Sequence, residues 1–303
     1  MKPLRGFRVV TLAINVPGPV AAARLCQLGA DVVKVEPPAG DPLAIYAPAW
    51  YRALAAGQRV LPLDLKTAEG RARLDELLAG ADLLLTAQRP SALARLGLDR
   101  ATLQQRFPRL AHVAITGYPP PRQDEPGHDL TYLAAVGLVT PPHLPRTLLA
   151  DLAGAERAVS AALALLLARE RGQGAGYAEV ALADAAAGLA EPLRHGLTAP
   201  GGILGGALPF YRFYRARDGW VAVAALEPHF AERMKQALGV SRGDAAELEA
   251  AFRQRSAAEW EAWARRHDLP LVAVREPEPA QAAHSTGVSG PGEEGGAAAE
   301  QRG

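Results

Sequence analysis

The stretch Leu28-Gly-Ala-Asp-Val-Val-Lys-Val-Glu-Pro37 decides the architecture. Residues 31–36 form a short β-branched run that stops at proline, which reads as a strand. Just upstream, residues 20–28 read as a helix ended by Gly29, with Pro17-Gly18-Pro19 marking its start. Proline at the opening of a helix and glycine just past its close is the expected asymmetry. Before that helix comes another β-branched run, residues 8–14, so the whole makes a βαβ unit. The alternation recurs downstream. Residues 67–78 read as a helix opening on the capping-type Thr-Ala-Glu-Gly, Gly80 closes it, and 82–86 is the next strand. Two short helices, 91–96 and 100–107, lead to a strand at 111–116. Strands alternating with helices predict an α/β fold with a doubly wound parallel sheet of Rossmann-like type.

Working further outward, a proline- and charge-rich loop spans 118–127 and a helical stretch 128–139. A second proline-rich loop spans 141–145. A long Ala/Leu helix covers 151–170, followed by a Gly-rich turn, a strand at 177–182 and another helix near Asp184. Four of the nine residues 198–206 are glycine, which marks a linker. Beyond it, Phe210-Tyr-Arg-Phe-Tyr214 and Trp220-Val-Ala-Val-Ala-Ala225 flank Asp218-Gly219, a hairpin signal. Helices at 228–238, 245–254 and 256–267 and a strand at 271–275 complete a smaller α+β unit. The expected domains are therefore 1–197 and 207–275. Residues 276–303 hold Val288 as their one larger aliphatic residue, and such a segment is expected to stay disordered.

The 303 residues carry 33 Lys+Arg against 32 Asp+Glu, a net charge of +1, which leaves no electrostatic footprint for nucleic acid or an anionic membrane. The longest apolar run, 158–168, is too short for a bilayer, which takes about 20 residues. The N-terminus does not read as a signal peptide. Cys26 is the single cysteine, which excludes a disulfide framework and reads as a small buried helix residue in a reducing, cytoplasmic protein. No metal-binding motif, Walker A motif or G-x-S-x-G is present. The first βα turn holds only Gly18, so the dinucleotide fingerprint fails, although Glu36 ends the second strand where a ribose-binding acid would lie.

In open α/β sheets, ligands sit outside the carboxyl ends of the strands. The polar residues there are His128-Asp129, after strand 111–116, and Asp151, at the opening of the long helix. Taken alone, each also reads as a helix cap. An ordered series of short stretches adds more. It runs from Pro3-Leu-Arg-Gly-Phe-Arg-Val-Val and Gly18-Pro19 through Leu28–Pro37, Leu63-Asp-Leu-Lys66, Arg89-Pro90, Pro126-Gly-His-Asp129, Asp151, Gly172-Gln-Gly174 and Gly205-Gly-Ala-Leu-Pro209 to Leu226-Glu-Pro228. From about residue 4 to 274 the chain resembles the class III CoA-transferase and α-methylacyl-CoA racemase superfamily (the CaiB/BaiF family), and most closely its racemase branch.

That resemblance implies the roles. His128 and Asp151 are the acid/base pair that removes and returns a proton beside a thioester carbonyl, with Glu227 supporting the histidine. Histidine and carboxylate both tune to near-neutral pKa values. Donors for the enolate oxygen are expected at the N-terminus of the long helix. Lys66 and Arg89 are placed near the phosphates and adenosine of coenzyme A, with Asp64 and Leu65 in the adjoining backbone, and Arg59 is added as a neighbouring cation. Coenzyme A enters as part of the substrate, with no permanent cofactor, and an interlocked homodimer is implied. In the transferase branch the same aspartate is a nucleophile that passes CoA between carboxylates, and a non-catalytic CoA-binding homologue is the third reading. The chain departs from the family pattern at Pro37-Pro38 and at Gln88, where an aromatic residue is typical. It departs again at Leu152-Ala-Gly-Ala-Glu156, where a glycine-rich run is usual and Glu156 adds a charge. The family's last segment, which returns to the large domain, is replaced here by the tail.

Overall fold

Six strands build the larger sheet: β1 (Arg8–Thr11), β2 (Asp31–Glu36), β3 (Arg59–Pro62), β4 (Leu83–Thr86), β5 (Ala111–Thr116) and β6 (Tyr177–Ala181). All pair in parallel, in the order β3-β2-β1-β4-β5-β6. This is a doubly wound sheet, and its order reverses between β1 and β4. The residues of β4 and β5 are buried throughout, as a sheet covered on both faces requires.

The helices of this part are α1 (Pro17–Gln27), α2 (Leu43–Tyr46), α3 (Pro48–Ala55), α4 (Ala68–Ala79), α5 (Pro90–Arg95), α6 (Arg100–Arg106), α7 (Asp129–Ala135), α8 (Leu149–Glu170), α9 (Leu182–Leu189) and α10 (Glu191–Arg194). Successive strand residues point to opposite faces, so the sheet sorts its own core. Val9, Leu83, Leu85 and Val113 pack with α1, α7 and α8. Val10, Val33, Val35 and Leu84 pack with Leu74 and Leu78 of α4, Leu93 of α5 and Leu103 of α6.

The computed structural model describes residues 1–277, which fall into a first compact unit, Met1–Gly196, and a second that begins at Leu197. The second unit has an antiparallel sheet, β7 (Tyr211–Arg215), β8 (Trp220–Ala224) and β9 (Leu271–Ala273), and the helices α11 (Pro228–Leu238), α12 (Ala245–Phe252) and α13 (Ala257–Arg266). Its core joins Tyr214, Val221, Met234, Phe252, Trp260 and Trp263. The glycine-rich segment 198–206 belongs to this unit and folds back on itself, with Leu204 N donating to Leu197 O at 2.8 Å. Most of the segment expected to be disordered, 278–303, lies outside the described residues. No helix among the described residues is long and apolar enough to cross a membrane.

Strand β3 and helices α2 and α3 are the elements that sequence periodicity left unread. β3 is a four-residue edge strand with no fully buried residue, and Pro62 at its end is tolerated at an edge. Helix α1 starts at Pro17, earlier than its apolar pattern suggests, because proline at a first helical position gives up an N–H that has no intrahelical partner. Gly18 is required there. A Cβ at this position would fall 2.0 Å from Ala13 Cβ and 3.2 Å from Ala13 Cα, so α1 sits directly against the chain leaving β1. Gly18→Ala is expected to destabilise the protein by about 1–3 kcal/mol, the usual cost of overpacking. Urea unfolding checks this, as a lower midpoint at an unchanged slope.

Candidate active site

The order reversal makes the chains leaving β1 and β4 turn to opposite faces, which opens a crevice at their carboxyl ends. Two cavities fill it. One, of 290 Å³, is lined by Asn15, Arg89, His128, Tyr132 and Asp151 among others. The other, of 450 Å³, is lined by Leu63, Asp64, Leu65 and Lys66 with the end of β2. Ile14 and Gln88 line both. The Gln88 carboxamide donates to the Leu12 carbonyl at 2.6 Å, which pins it between β1 and β4 as a sill separating the two spaces.

His128 immediately precedes α7. Its amide donates to Thr131 Oγ1 at 3.1 Å and the Thr131 hydroxyl returns a bond to the His128 carbonyl at 2.7 Å, so threonine fixes this helix start. The preceding Gly127 lies on the Tyr132 ring, which a Cβ would meet at 2.5 Å, and Tyr132 packs edge-to-face on Tyr118. Burial, first of all, pushes the Tyr132 phenol up to about 12, so it stays protonated.

Asp151 is the third residue of α8, and its carboxylate does not cap its own helix as the sequence suggested. The cap comes from α7. The buried Asp129 carboxylate accepts the Asp151 amide at 3.0 Å, while Leu148 at the N-cap offers no side-chain acceptor. At the start of this helix, where donors for an enolate are expected, the Asp151 amide is therefore already engaged by Asp129. Burial, and after it the Asp129 charge, raises the Asp151 carboxyl to about 6. A carboxyl at that value gives and takes protons near neutrality.

The remaining predicted residues divide. Arg89 is exposed at the first cavity, and Asp64, Leu65 and Lys66 lie together at the second. Asp64 Oδ1 accepts the Lys66 amide at 3.0 Å, so its carboxylate shapes the turn. Arg59 is not brought with them. It opens β3 at the amino end of the sheet, lines neither cavity and points the assignment away from itself. Glu227 stands at the N-cap of α11 in the second unit, exposed and with no side-chain capping bond. Glu156 pairs with Arg24 on the outside of α8 at 3.6 Å and lines neither cavity.

Glu36 is no ribose ligand. It accepts from Lys34 Nζ at 2.5 Å and from the Tyr51 hydroxyl at 2.8 Å. Lys34 also bonds Asp41 at 2.5 Å, and Asp41 Oδ1 takes the amide of Asn15, which is held at φ 70° on the rim of the first cavity. Asn15, Asp129 as the cap of α8 and Tyr132 are site features that sequence reasoning missed, and Gln88, noted there only as a departure, lines both cavities. Gly127 was the one local signal, since it must clear the Tyr132 ring. Cys26, half-buried in α1, has its thiol pushed up by burial. Among the described residues, no group of three or more His, Cys, Asp or Glu is placed to hold a metal ion.

The model of CoA-transferase family III matches residues 4–290. The chain belongs to that family. Its relatives are of two kinds. The cinnamoyl-CoA:phenyllactate CoA-transferase of Clostridium sporogenes is 34% identical over 264 residues, 77% of this chain and 64% of that protein. The mouse α-methylacyl-CoA racemase is 32% identical over 277 residues, 85% of this chain and 68% of the racemase. The chain thus spans about two thirds of the length of these curated relatives. Among solved structures, the Rv3272 protein of Mycobacterium tuberculosis superposes with a TM-score of 0.80 at 28% identity, covering 91% of this chain and 84% of that one. A CaiB/BaiF family protein from Brucella suis gives 0.78 at 25% identity, covering 91% and 84%.

The Asp151 environment has a cost in stability, with a definite sign. An unfolded aspartate titrates near 3.9 and the folded one at about 6, so the folded form holds its proton longer. Below pH of about 4 both states are protonated and nothing is lost. Stability falls as pH rises through this window, and the full penalty stands above about 6. Asp151→Asn is therefore expected to be more stable than the parent at pH 8, by about 1–3 kcal/mol after allowing for solvent screening from the cavity. The two should converge near pH 4. Denaturant titrations at both pH values measure this.

Proposed function

We propose that this chain racemises 2-methylacyl-CoA thioesters, with His128 and Asp151 exchanging the proton on the α-carbon. The observation that carries this reading is Asp151 itself: a carboxyl raised to about 6, in the same cavity as a histidine. Two-base racemisation needs a group on each face of the carbon that both accepts and delivers a proton. A carboxyl poised near neutrality suits that role better than the role of a permanently ionised nucleophile. The acyl group occupies the 290 Å³ cavity, and the CoA arm crosses the Gln88 sill toward Lys66, with Arg89 and Lys66 meeting its phosphates. Fixed cations are what phosphate oxygens require. Glu227 is assigned the supporting role toward the histidine. Arg59 has no part in this arrangement.

A positioned general base contributes about 10²–10⁴-fold in rate. His128→Ala is expected to lose α-proton removal from one enantiomer by that factor and to keep slow deuterium wash-in from the other. Asp151→Asn should show the opposite preference. Mass analysis of acyl-CoA recovered from deuterated water reads both. Racemisation within about threefold of the parent in His128→Ala, far below that loss, overturns the two-base assignment.

The transferase relatives keep a second reading in play, in which Asp151 attacks a donor acyl-CoA and carries the CoA thioester. Hydroxylamine trapping of an adduct at Asp151 decides for it, since a racemase forms none. Binding of CoA with neither exchange nor transfer would instead mark a non-catalytic homologue. The enzyme is assigned to the cytoplasm, which the single cysteine fits, and to a homodimer. Light scattering at micromolar concentration should give about twice the 31.9 kDa of one chain, and a monomer sinks the dimer.

A further inference from the structure

Proton removal beside a thioester leaves charge on the carbonyl oxygen, and the cavity that holds His128 and Asp151 must meet it with a donor already in place. Most of the side chains on its lining are spent or loose. The Gln88 carboxamide is given to the Leu12 carbonyl at 2.6 Å, and the Thr116 hydroxyl to Glu179 at 3.5 Å. Asn15 and Gln123 line the cavity as well, but neither is buried. One neutral side-chain donor remains that is both buried and unspent. It is Tyr132, one helical turn after His128 on α7.

Tyr132 is 2% exposed, and its ring is held edge-to-face on Tyr118 with the centroids 5.2 Å apart. The hydroxyl end lies against Gly117 and Gly127, where a Cβ on either would fall 2.6 Å from the oxygen. Both glycines line the cavity, so neither wall covers the hydroxyl with a side chain. Among the described residues the hydroxyl has no hydrogen-bond partner, yet it is not sealed. The fully enclosed side-chain polar atoms without a partner are Gln58 Oε1 and His112 Nδ1, so the phenol oxygen opens on the cavity. A polar group left unpaired on a buried side chain needs a reason. Burial first, and charges that include Asp151 after it, hold the phenol at about 12, so near neutrality it carries its proton and donates.

We propose that the Tyr132 hydroxyl is the side-chain donor to the thioester oxygen of the acyl-CoA, an inference that rests on the racemase reading. When either base takes the α-proton, the C–H electron pair moves into the bond to the carbonyl carbon and charge collects on the oxygen. The phenol hydrogen-bonds that oxygen and keeps its own proton. The charge returns to the α-carbon as the other base delivers a proton to the opposite face. Packing sets the donor before the reaction begins, so it costs no reorganisation as the charge develops. The oxygen is common to both directions. The phenol therefore serves both enantiomers alike, whereas each base serves one.

The test is Tyr132→Phe in the full chain, which keeps the ring and its packing, with Tyr118→Phe as the control. With 2-methylbutanoyl-CoA in deuterated water, Tyr132→Phe is expected to lower kcat for α-deuterium exchange by about 10²–10³-fold, the usual cost of one such donor. KM should stay within about threefold, as for an interaction made in the transition state. The loss should be equal for both enantiomers, unlike the selective losses of His128→Ala and Asp151→Asn, and the melting temperature should hold. A second readout needs no turnover. Acetoacetyl-CoA ionises to an enolate that absorbs in the near ultraviolet, and Tyr132→Phe should bind that form about tenfold or more weakly, the worth of a hydrogen bond to a charged group. A parent that exchanges no α-proton sinks the racemase reading, and the enolate titration then decides on Tyr132 by itself. No enolate band in the parent, an unchanged band in Tyr132→Phe, an enantiomer-selective loss or an equal loss in Tyr118→Phe overturns the proposal.

Discussion

The hydrogen bond from the Asp151 amide to the Asp129 carboxylate, 3.0 Å long, joins the two helix starts on which the site is built. Helix α8 begins after Leu148, which has no side chain able to satisfy the first amides, and the orphan donors of a helix start need an acceptor. Asp129 supplies one from the first residue of α7. The same bond fixes where His128 lies, since His128 is the next residue back along the chain. It also brings a second carboxylate beside Asp151 in a place poor in solvent. The bond that holds the backbone and the charge that tunes the acid therefore come from one side chain. Removing it would disturb both, so the geometry of the site and its protonation cannot vary independently.

A second constraint acts on the other wall. Lys34 is 1% exposed and lies between Glu36 and Asp41. Burying three charges is expensive, and the geometry must be good for their attraction to offset desolvation. Here the carboxylates have further partners. Tyr51 donates to Glu36, and Asp41 accepts the amides of Asn15 and Leu43. The cluster thus ties the end of β2 to the chain leaving β1 and holds Asn15 in a left-handed conformation that few residues adopt without support. The two walls meet at Gln88. Its carboxamide, pinned to the Leu12 carbonyl, puts a polar group on the border of both cavities.

Much of the fold was written in local pattern. The runs 31–36 and 111–116 are strands with those bounds, because β-branched residues predominate in them and glycine or proline closes each, although Lys34 and His112 interrupt the apolar pattern. Thr67 caps α4 through the Gly70 amide, as the spacing of Thr-Ala-Glu-Gly implied, and Ser256 caps α13 through the Glu259 amide. β3 escaped notice because an edge strand buries little and so carries little pattern. Gly18 and Gly127 were visible as glycines, but the reasons for them, Ala13 and the Tyr132 ring, are contacts that folding creates.

The sequence by itself determined the alternation of strands and helices, the two units and the family, since each rests on residue types a few positions apart. It also placed His128 and Asp151 at helix starts beyond the carboxyl ends of the strands. Tertiary structure alone decided which of those groups share a space. It put Arg59 at the amino end of the sheet and Lys66 at the carboxyl end, although only seven positions separate them, because a parallel strand runs between. It turned Glu36 from a candidate ligand into the partner of Lys34. It also gave the cap of α8 to Asp129, twenty-two residues before the amide it binds. The physical reason is common to all three. A charged side chain's role is set by the groups within a few ångströms, and in a doubly wound sheet those neighbours arrive from strands and helices far apart in the chain.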